Sequence, residues 1–186
     1  MSYLSAFTRS SIGRMILRKA SERKPAIEAQ TTSPIVPVAD NYDALGSHVL
    51  PALIRKAHEA KLRGDERIEV WGSGTPRREF LYVDDLADAC VFLMEHNLAG
   101  NVDGGLFNIG CGADLTIREL AETVMGVVGY RGAIAFDASK PDGTPRKLLD
   151  TQRMAALGWQ PRTALTDGIA LAYADFQARL ATGTIR

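Results

Sequence analysis

Arg67-Ile68-Glu69-Val70-Trp71-Gly72-Ser73-Gly74-Thr75-Pro76-Arg77-Arg78-Glu79-Phe80-Leu81-Tyr82-Val83-Asp84-Asp85 is the stretch on which the fold turns. Arg67 to Trp71 alternates polar and apolar side chains, the period of a strand with one buried face. Gly72 and Gly74 break that period, and a backbone without Cβ can turn tightly and let a ligand approach closely. Glu79 to Val83 reads as renewed extended chain. Asp84 or Asp85 is placed to cap a helix whose apolar face is Leu86, Ala89, Cys90, Leu93 and Met94. Strand, glycine turn, strand and helix in succession predict a mixed α/β fold. The same residues carry chemistry. Ser73 and Thr75 offer hydroxyls, Arg77 and Arg78 offer guanidinium forks that match a diphosphate, and Trp71 offers a flat face for a base or sugar. Composition leaves a second reading open, a glycine turn in a hairpin with surface arginines.

Working outward, Ser47 reads as an N-cap with Pro51 in the first turn, where a missing N–H costs little. Val49, Leu50, Leu53, Ile54 and Ala57 then recur at helical spacing toward a stop near Gly64. Leu106 to Ile109 reads as a short strand closed by Gly110 and Gly112. Thr116 with Glu119 forms a capping box ahead of an apolar face of Ile117, Leu120, Ala121, Val124 and Val127. Ala133 to Phe136 reads as a strand. Helices are expected near 151–157, ended by Gly158, and near 165–180, begun by Thr166 or Asp167. The run Gly126 to Gly132 fits the bare pattern GxxGxxG, but a helix precedes it and a strand follows. A pyrophosphate loop needs the reverse order, so this run reads as a C-cap and a turn.

The chain has 186 residues, 46% hydrophobic and 24% charged, with 22 basic and 22 acidic side chains. A balance of zero gives no global reason to expect nucleic-acid or membrane partners. No apolar run reaches the ~18–20 residues of a membrane helix. Cys90 and Cys111 read as reduced, partly buried thiols of a cytoplasmic protein. The first 24 residues hold Arg9, Arg14, Arg18, Lys19, Arg23 and Lys24 against one acid, Glu22, with serines between. Such composition suits a transit peptide, a solvated tail or a misplaced start codon. Pro25, Pro34 and Pro37 follow in linker-like surroundings. The expected organisation is a basic, poorly ordered segment over 1–40 and a ligand-binding domain over 41–182.

Three stretches, in order, carry a resemblance. Gly-x-Gly, Arg-x-Phe and Val-x-Asp within 72–85 resemble the sugar-nucleotide diphosphate site of extended short-chain dehydrogenases, the NAD-dependent epimerase/dehydratase family. Trp71 to Ala89 resembles the GDP-L-fucose synthases more closely. Asp137-Ala138-Ser139-Lys140-Pro141-Asp142-Gly143-Thr144-Pro145-Arg146-Lys147-Leu148-Leu149-Asp150 and Ser47-His48-Val49-Leu50-Pro51-Ala52-Leu53-Ile54-Arg55-Lys56 resemble two further motifs of that family. The resemblance runs from about Asp40 to about Ala178.

It implies the C-terminal, substrate-binding part of such an enzyme, with the Rossmann half largely absent. The family is both isomerase and oxidoreductase. It epimerises C3 and C5 of GDP-4-keto-6-deoxy-D-mannose, then reduces C4 with NADPH. Epimerisation needs an acid and a base on opposite faces of the carbon. The resemblance places the family's histidine at His48, in the catalytic and the NADP-binding set; an imidazole titrates near neutrality, as the role asks. Without the resemblance, His48 reads as a histidine at a helix start with no chemistry. The GDP-sugar contacts carry over to Lys56, Trp71, Arg78 and Asp142. Lys56 stands where some members have arginine, keeping the charge but losing the bidentate fork. Asp142, in a Pro-Asp-Gly turn, equally suits turn formation.

The hydride step needs parts that the sequence does not offer. None of Tyr3, Tyr42, Tyr82, Tyr130 and Tyr173 has lysine at the fourth following position, and no strand, glycine loop and helix occur in order. Neither cysteine stands where the family has its catalytic one. The expectation is a truncated member, from a frameshift, rearrangement or shortened gene, that binds a GDP-sugar and is inactive alone; its dimer contacts are open. A non-catalytic GDP-sugar module, or a fragment of a UDP-sugar epimerase or dehydratase, are the alternatives. A helix-turn-helix opening at Thr116 is disfavoured by the neutral charge and by the strand that follows. No metal site is expected.

Overall fold

The computed structural model describes residues 14–17, 27–31, 35–36, 42, 47–98 and 105–185. Their order is β1 (Arg14–Leu17), β2 (Ile27–Gln30), β3 (Ile35–Val36), α1 (Val49–Arg63), β4 (Arg67–Trp71), β5 (Arg77–Glu79), β6 (Leu81–Tyr82), α2 (Val83–Leu98), β7 (Gly105–Asn108), β8 (Asp114–Thr116), α3 (Ile117–Val128), β9 (Ala133–Asp137), β10 (Arg146–Lys147), α4 (Gln152–Ala156) and α5 (Leu165–Ala181). The mixed α/β class expected from the sequence is what the chain adopts. The described residues form two compact units. One takes those up to Ile35 with Glu79–Ala113 and Leu148–Arg162; the other takes those from Val36 to Arg78, with Asp114–Lys147 and Thr163 onward.

In the first unit β2 pairs antiparallel with β1 and parallel with β7, Ala29 lying opposite Phe107. α2 turns Leu86, Ala89, Cys90 and Leu93 into a core shared with Ala29, Leu81, Phe107, Ile109, Met154 and Trp159. Trp159 is buried yet keeps its indole N–H satisfied, donating to Asp88 at 2.9 Å. Buried Glu79 organises the loops. Its carboxylate accepts from the backbone N–H of Gly112 at 2.5 Å and of Leu149 at 3.2 Å. Gly110 packs so close that a Cβ there would stand 2.5 Å from the Glu79 Oε1. Burial pushes the Cys90 thiol up to about 11 and raises that of Cys111 too, so both are poor thiolates at neutral pH.

In the second unit β4 and β9 run parallel, with Val70 opposite Phe136 and Trp71 opposite Asp137. α1 packs on α3, and α3 on α5. Their buried faces are Leu50, Leu53, Ile54 and Ala57, then Leu120, Ala121, Val124 and Val128, then Ile169, Ala172 and Phe176. The Thr116 capping box forms as expected. The Glu119 N–H donates to the Thr116 hydroxyl, and the Thr116 N–H donates to the Glu119 carboxylate. Gly129 ends α3 in the left-handed conformation (φ 72°) and β9 begins four residues later, so the 126–132 glycines do form a C-cap and turn.

Several local expectations are corrected. The N-cap of α1 is His48, not Ser47, because the first helical bond runs from the Ala52 N–H to the His48 carbonyl. The strand read over 79–83 is cut short. α2 opens at Val83, so Asp84 and Asp85 sit in its first turn, beside the positive helix end, rather than before it. Likewise Ala164 caps α5, leaving Thr166 and Asp167 inside. β2 lies within the stretch read as linker, since four residues leave no periodicity to read and its partner β7 lies 78 positions further along the chain. Much of 1–40 lies outside the described residues.

Candidate functional site

The parallel pair β4–β9 decides where a site can form. Both strands end at the same level, Trp71 opposite Asp137, so the chain leaving each, 72–76 and 138–145, emerges on one side. Ligands of α/β proteins collect at such carboxyl ends. Here those segments, with the start of α1, Lys56 and the start of α3, enclose a cleft of about 290 Å³. Ser47, Val49, Lys56, Trp71, Arg78, Ile117 and Asp142 are in its lining, and all belong to the second unit.

The turn after β4 is built from side chain to backbone bonds. Asp142 accepts from the Ser73 N–H at 2.9 Å and from the Ser73 hydroxyl at 2.6 Å. The Ser73 hydroxyl accepts in turn from the Thr75 N–H at 3.1 Å. The Ser73 donors, hydroxyl first and backbone second, hold the Asp142 carboxyl below the usual carboxylate range. Gly72 makes this possible. Its φ is +82°, and a Cβ there would lie 2.3 Å from the Asp142 Oδ1. Gly74, at φ +78°, lies under the Phe136 ring, which a Cβ would meet at 2.3 Å. Arg118 covers that ring, its guanidinium carbon 4.3 Å from the centroid.

The two adjacent arginines separate. Arg77 is committed to Asp114, donating from Nε to the carboxylate at 3.0 Å and from Nη2 to the Asp114 carbonyl at 2.9 Å. Arg146 Nε donates to the other oxygen of that carboxylate. Hydrogen bonds from Arg146 and then Arg77 lower the Asp114 pKa. Arg77 is therefore structural, although the sequence offers it equally for a diphosphate. Arg78 faces the cleft; its Nη1 donates to the carbonyls of Thr144 at 2.6 Å and Arg77 at 2.7 Å, which fixes the plane of the guanidinium and leaves its other N–H groups.

Lys56 and Trp71 stand together at the mouth. Trp71 is 55% exposed, a large apolar face shown to solvent. Lys56 Nζ lies 5.6 Å from its ring centroid and donates to the Glu69 carbonyl at 2.9 Å. Lys140, which the sequence reading did not single out, brings a second ammonium to 5.4 Å. Nothing local links residues 71 and 140; only the β4–β9 register joins them. His48 is exposed at the start of α1. Its neighbours Ser47 and Val49 line the cleft, and His48 itself is not among the lining residues. The structure thus brings Lys56, Trp71, Arg78 and Asp142 around one cleft, with His48 beside its edge.

A dinucleotide pyrophosphate does not fit the start of α3 in the usual way. The first amides of α3 are taken: Ile117 donates to the Pro76 carbonyl, Arg118 to the Gly74 carbonyl and Glu119 to Thr116. The turn after β4 leads into β5, not into a helix. Among the described residues no group of three or more metal-ligating side chains occurs, and no helix is long and apolar enough to cross a membrane.

Known proteins carry the same sequence pattern. The chain is 54% identical over 136 residues to GDP-L-fucose synthase 1 of Arabidopsis thaliana, covering 72% of this chain and 40% of that protein. It is 51% identical over 142 residues to the GDP-L-fucose synthase of Escherichia coli K12, covering 74% and 44%. The GDP-mannoheptose C4 reductase of Campylobacter jejuni, solved with NADP bound, superposes with a TM-score of 0.71 at 30% identity, over 81% of this chain and 52% of that one. The chain therefore spans about two fifths of the length of the sequence relatives it matches. Residues 14–110, more than half of the chain and reaching well upstream of Asp40, match the family described as NAD dependent epimerase/dehydratase. By its fold and by that match, this chain belongs to the NAD dependent epimerase/dehydratase family.

Proposed function

We propose that this chain is the GDP-sugar-binding part of a GDP-L-fucose synthase, acting on GDP-4-keto-6-deoxy-D-mannose in GDP-L-fucose formation. The observation that carries this reading is the gathering of Lys56, Trp71, Arg78 and Asp142 around one cleft at the carboxyl ends of β4 and β9. The relatives named GDP-L-fucose synthase support it. Arg78 and Lys56 supply positive charge for a diphosphate, and the Trp71 face supplies a stacking surface. Asp142 holds the turn that presents them, through Ser73. The α1 start, with no acid in its first turn, adds the positive end of a helix to the same side.

Epimerisation beside a ketone moves a proton off one face of a carbon and returns one to the other. His48 is the group this chain contributes, exchanging that proton through its exposed imidazole; its partner lies elsewhere. NADP is the cofactor of the whole enzyme, supplying hydride when bound, and His48 is the one residue assigned here to its site. The chain by itself binds and does not turn over, and the whole enzyme works in the cytoplasm.

Titration of the full chain with GDP tests the reading. Of the two tryptophans, Trp159 is buried and Trp71 exposed, so ligand-induced change in fluorescence reports the cleft. Binding that Arg78→Ala weakens by roughly tenfold or more, with circular dichroism unchanged, is expected. Equal affinity in that variant would remove Arg78 from the site. Oxidation of NADPH by the chain alone in the presence of the keto-sugar would overturn the inactive reading.

A further inference from the structure

We propose that Lys140 is a ligand-binding residue, forming with Lys56 a two-ammonium clamp over Trp71 that reads the second phosphate of a nucleoside diphosphate. This rests on the reading of the cleft as a nucleotide-sugar site and adds to it a residue that neither the motif nor the cleft wall singles out.

Both ammoniums stand over one indole, Lys56 at 5.6 Å and Lys140 at 5.4 Å from the ring centroid. Each is attracted to the ring, and no ion pair to either is found among the described residues. The acids nearby are otherwise engaged. Asp142 is held by Ser73. Asp137 accepts from the Ser139 hydroxyl at 2.6 Å and the Ser139 N–H at 3.0 Å, and the charge of Lys140 lowers its pKa further. Glu69 gives Lys56 its backbone carbonyl. The site therefore places two ammoniums around one exposed aromatic side chain. An anion that reaches both gains a charge-assisted hydrogen bond from each.

The two lysines are unequal. Lys56 comes from the middle of α1 and its Nζ is tied to strand β4. Lys140 is exposed and follows β9, with its backbone N–H anchored to the Asp137 carbonyl at 3.2 Å. A fixed ammonium and an adjustable one suit a ligand with two linked anionic groups. Arg78, whose guanidinium is fixed in the cleft wall, takes the phosphate nearer the cleft floor. Lys140 takes the outer one.

The experiment compares GDP, GMP and guanosine as probes against the full chain, its Lys140→Gln variant and its Lys140→Arg variant. Lys140→Gln is expected to lower GDP affinity by roughly tenfold, to leave GMP affinity unchanged and to flatten the salt dependence of GDP binding. Lys140→Arg is expected to restore GDP affinity. Lys140 is exposed and accepts no packing load, so unchanged circular dichroism is expected in both variants. Wild-type binding of GDP with equal affinity in Lys140→Gln would overturn the clamp and leave the cleft reading intact. Equal losses for GDP and GMP would overturn the phosphate assignment. A wild-type chain that binds neither would overturn the cleft reading, and the clamp with it.

Discussion

At the scale of single residues, the site depends on one missing methyl group. Gly72 has a positive φ, and the space where its side chain would be is filled by the Asp142 carboxylate. Gly72→Ala is expected to cost about 1–3 kcal/mol, from backbone strain and from expelling Asp142. A urea titration measures it, and the accompanying change in Trp71 emission reports the opened turn. Which residues would gather around one cleft was legible here. Trp71, Arg78, Asp142 and Lys56 could be named from the motifs they sit in, and the two glycines announced a close approach. What could not be read was the division of labour. Arg77 and Arg78 are chemically identical neighbours, and only the distant Asp114 claims one of them. Lys140 was hidden for the same reason, its meaning set by a ring 69 positions earlier. The assignment of His48 remains one made from its motif; its place at the head of α1, rather than on the cleft wall, is what the fold adds.

Elements with strong local instructions matched their expectations, and those without did not. α3 carries a complete capping box and a glycine stop, and it runs between those two signals. Thr116→Ala is therefore expected to lower stability by about 1 kcal/mol, and Thr116→Ser to retain it, measured by thermal unfolding followed at the helix band. α1 was found, with its start displaced by one residue because Ser47 and His48 compete for the same position. Among the strands that were missed, β8 and β10 are two or three residues long and exist through pairing beside β5. β2 was passed over because its surroundings, rich in proline and threonine, read as linker. Four residues cannot outweigh such a context until a partner strand is known.

For the molecule as a whole, acid sensitivity follows from carboxylates held low. Asp114 is bound by Arg146 and Arg77, Glu119 by Thr116, Asp137 by Ser139 and Asp142 by Ser73, and each is shifted downward. The unfolded chain then binds more protons than the folded one between the folded values and about pH 4, so stability rises with pH in that window. The contribution is complete above the unfolded value and lost as pH falls through the folded ones. Asp114→Asn is expected to lower stability at pH 7 and to flatten its acid dependence, read from denaturant midpoints between pH 3 and 7. The identity of the family was legible at this scale from three separated motifs. The extent of its match was not, since residues 14–40 lie within the matched span yet carry no motif.

Each of the two units is assembled from stretches that alternate along the chain, and the last stretch of the second begins only at Thr163. During synthesis, β4 leaves the ribosome long before β9, and α5 later still. The helix face that Ile169, Ala172 and Phe176 cover thus stays wet until α5 emerges. Neither of these two units can close before its last stretch has been made. The chain's vulnerable period, when a chaperone or a protease competes for the uncovered helices, lasts until α5 has been made.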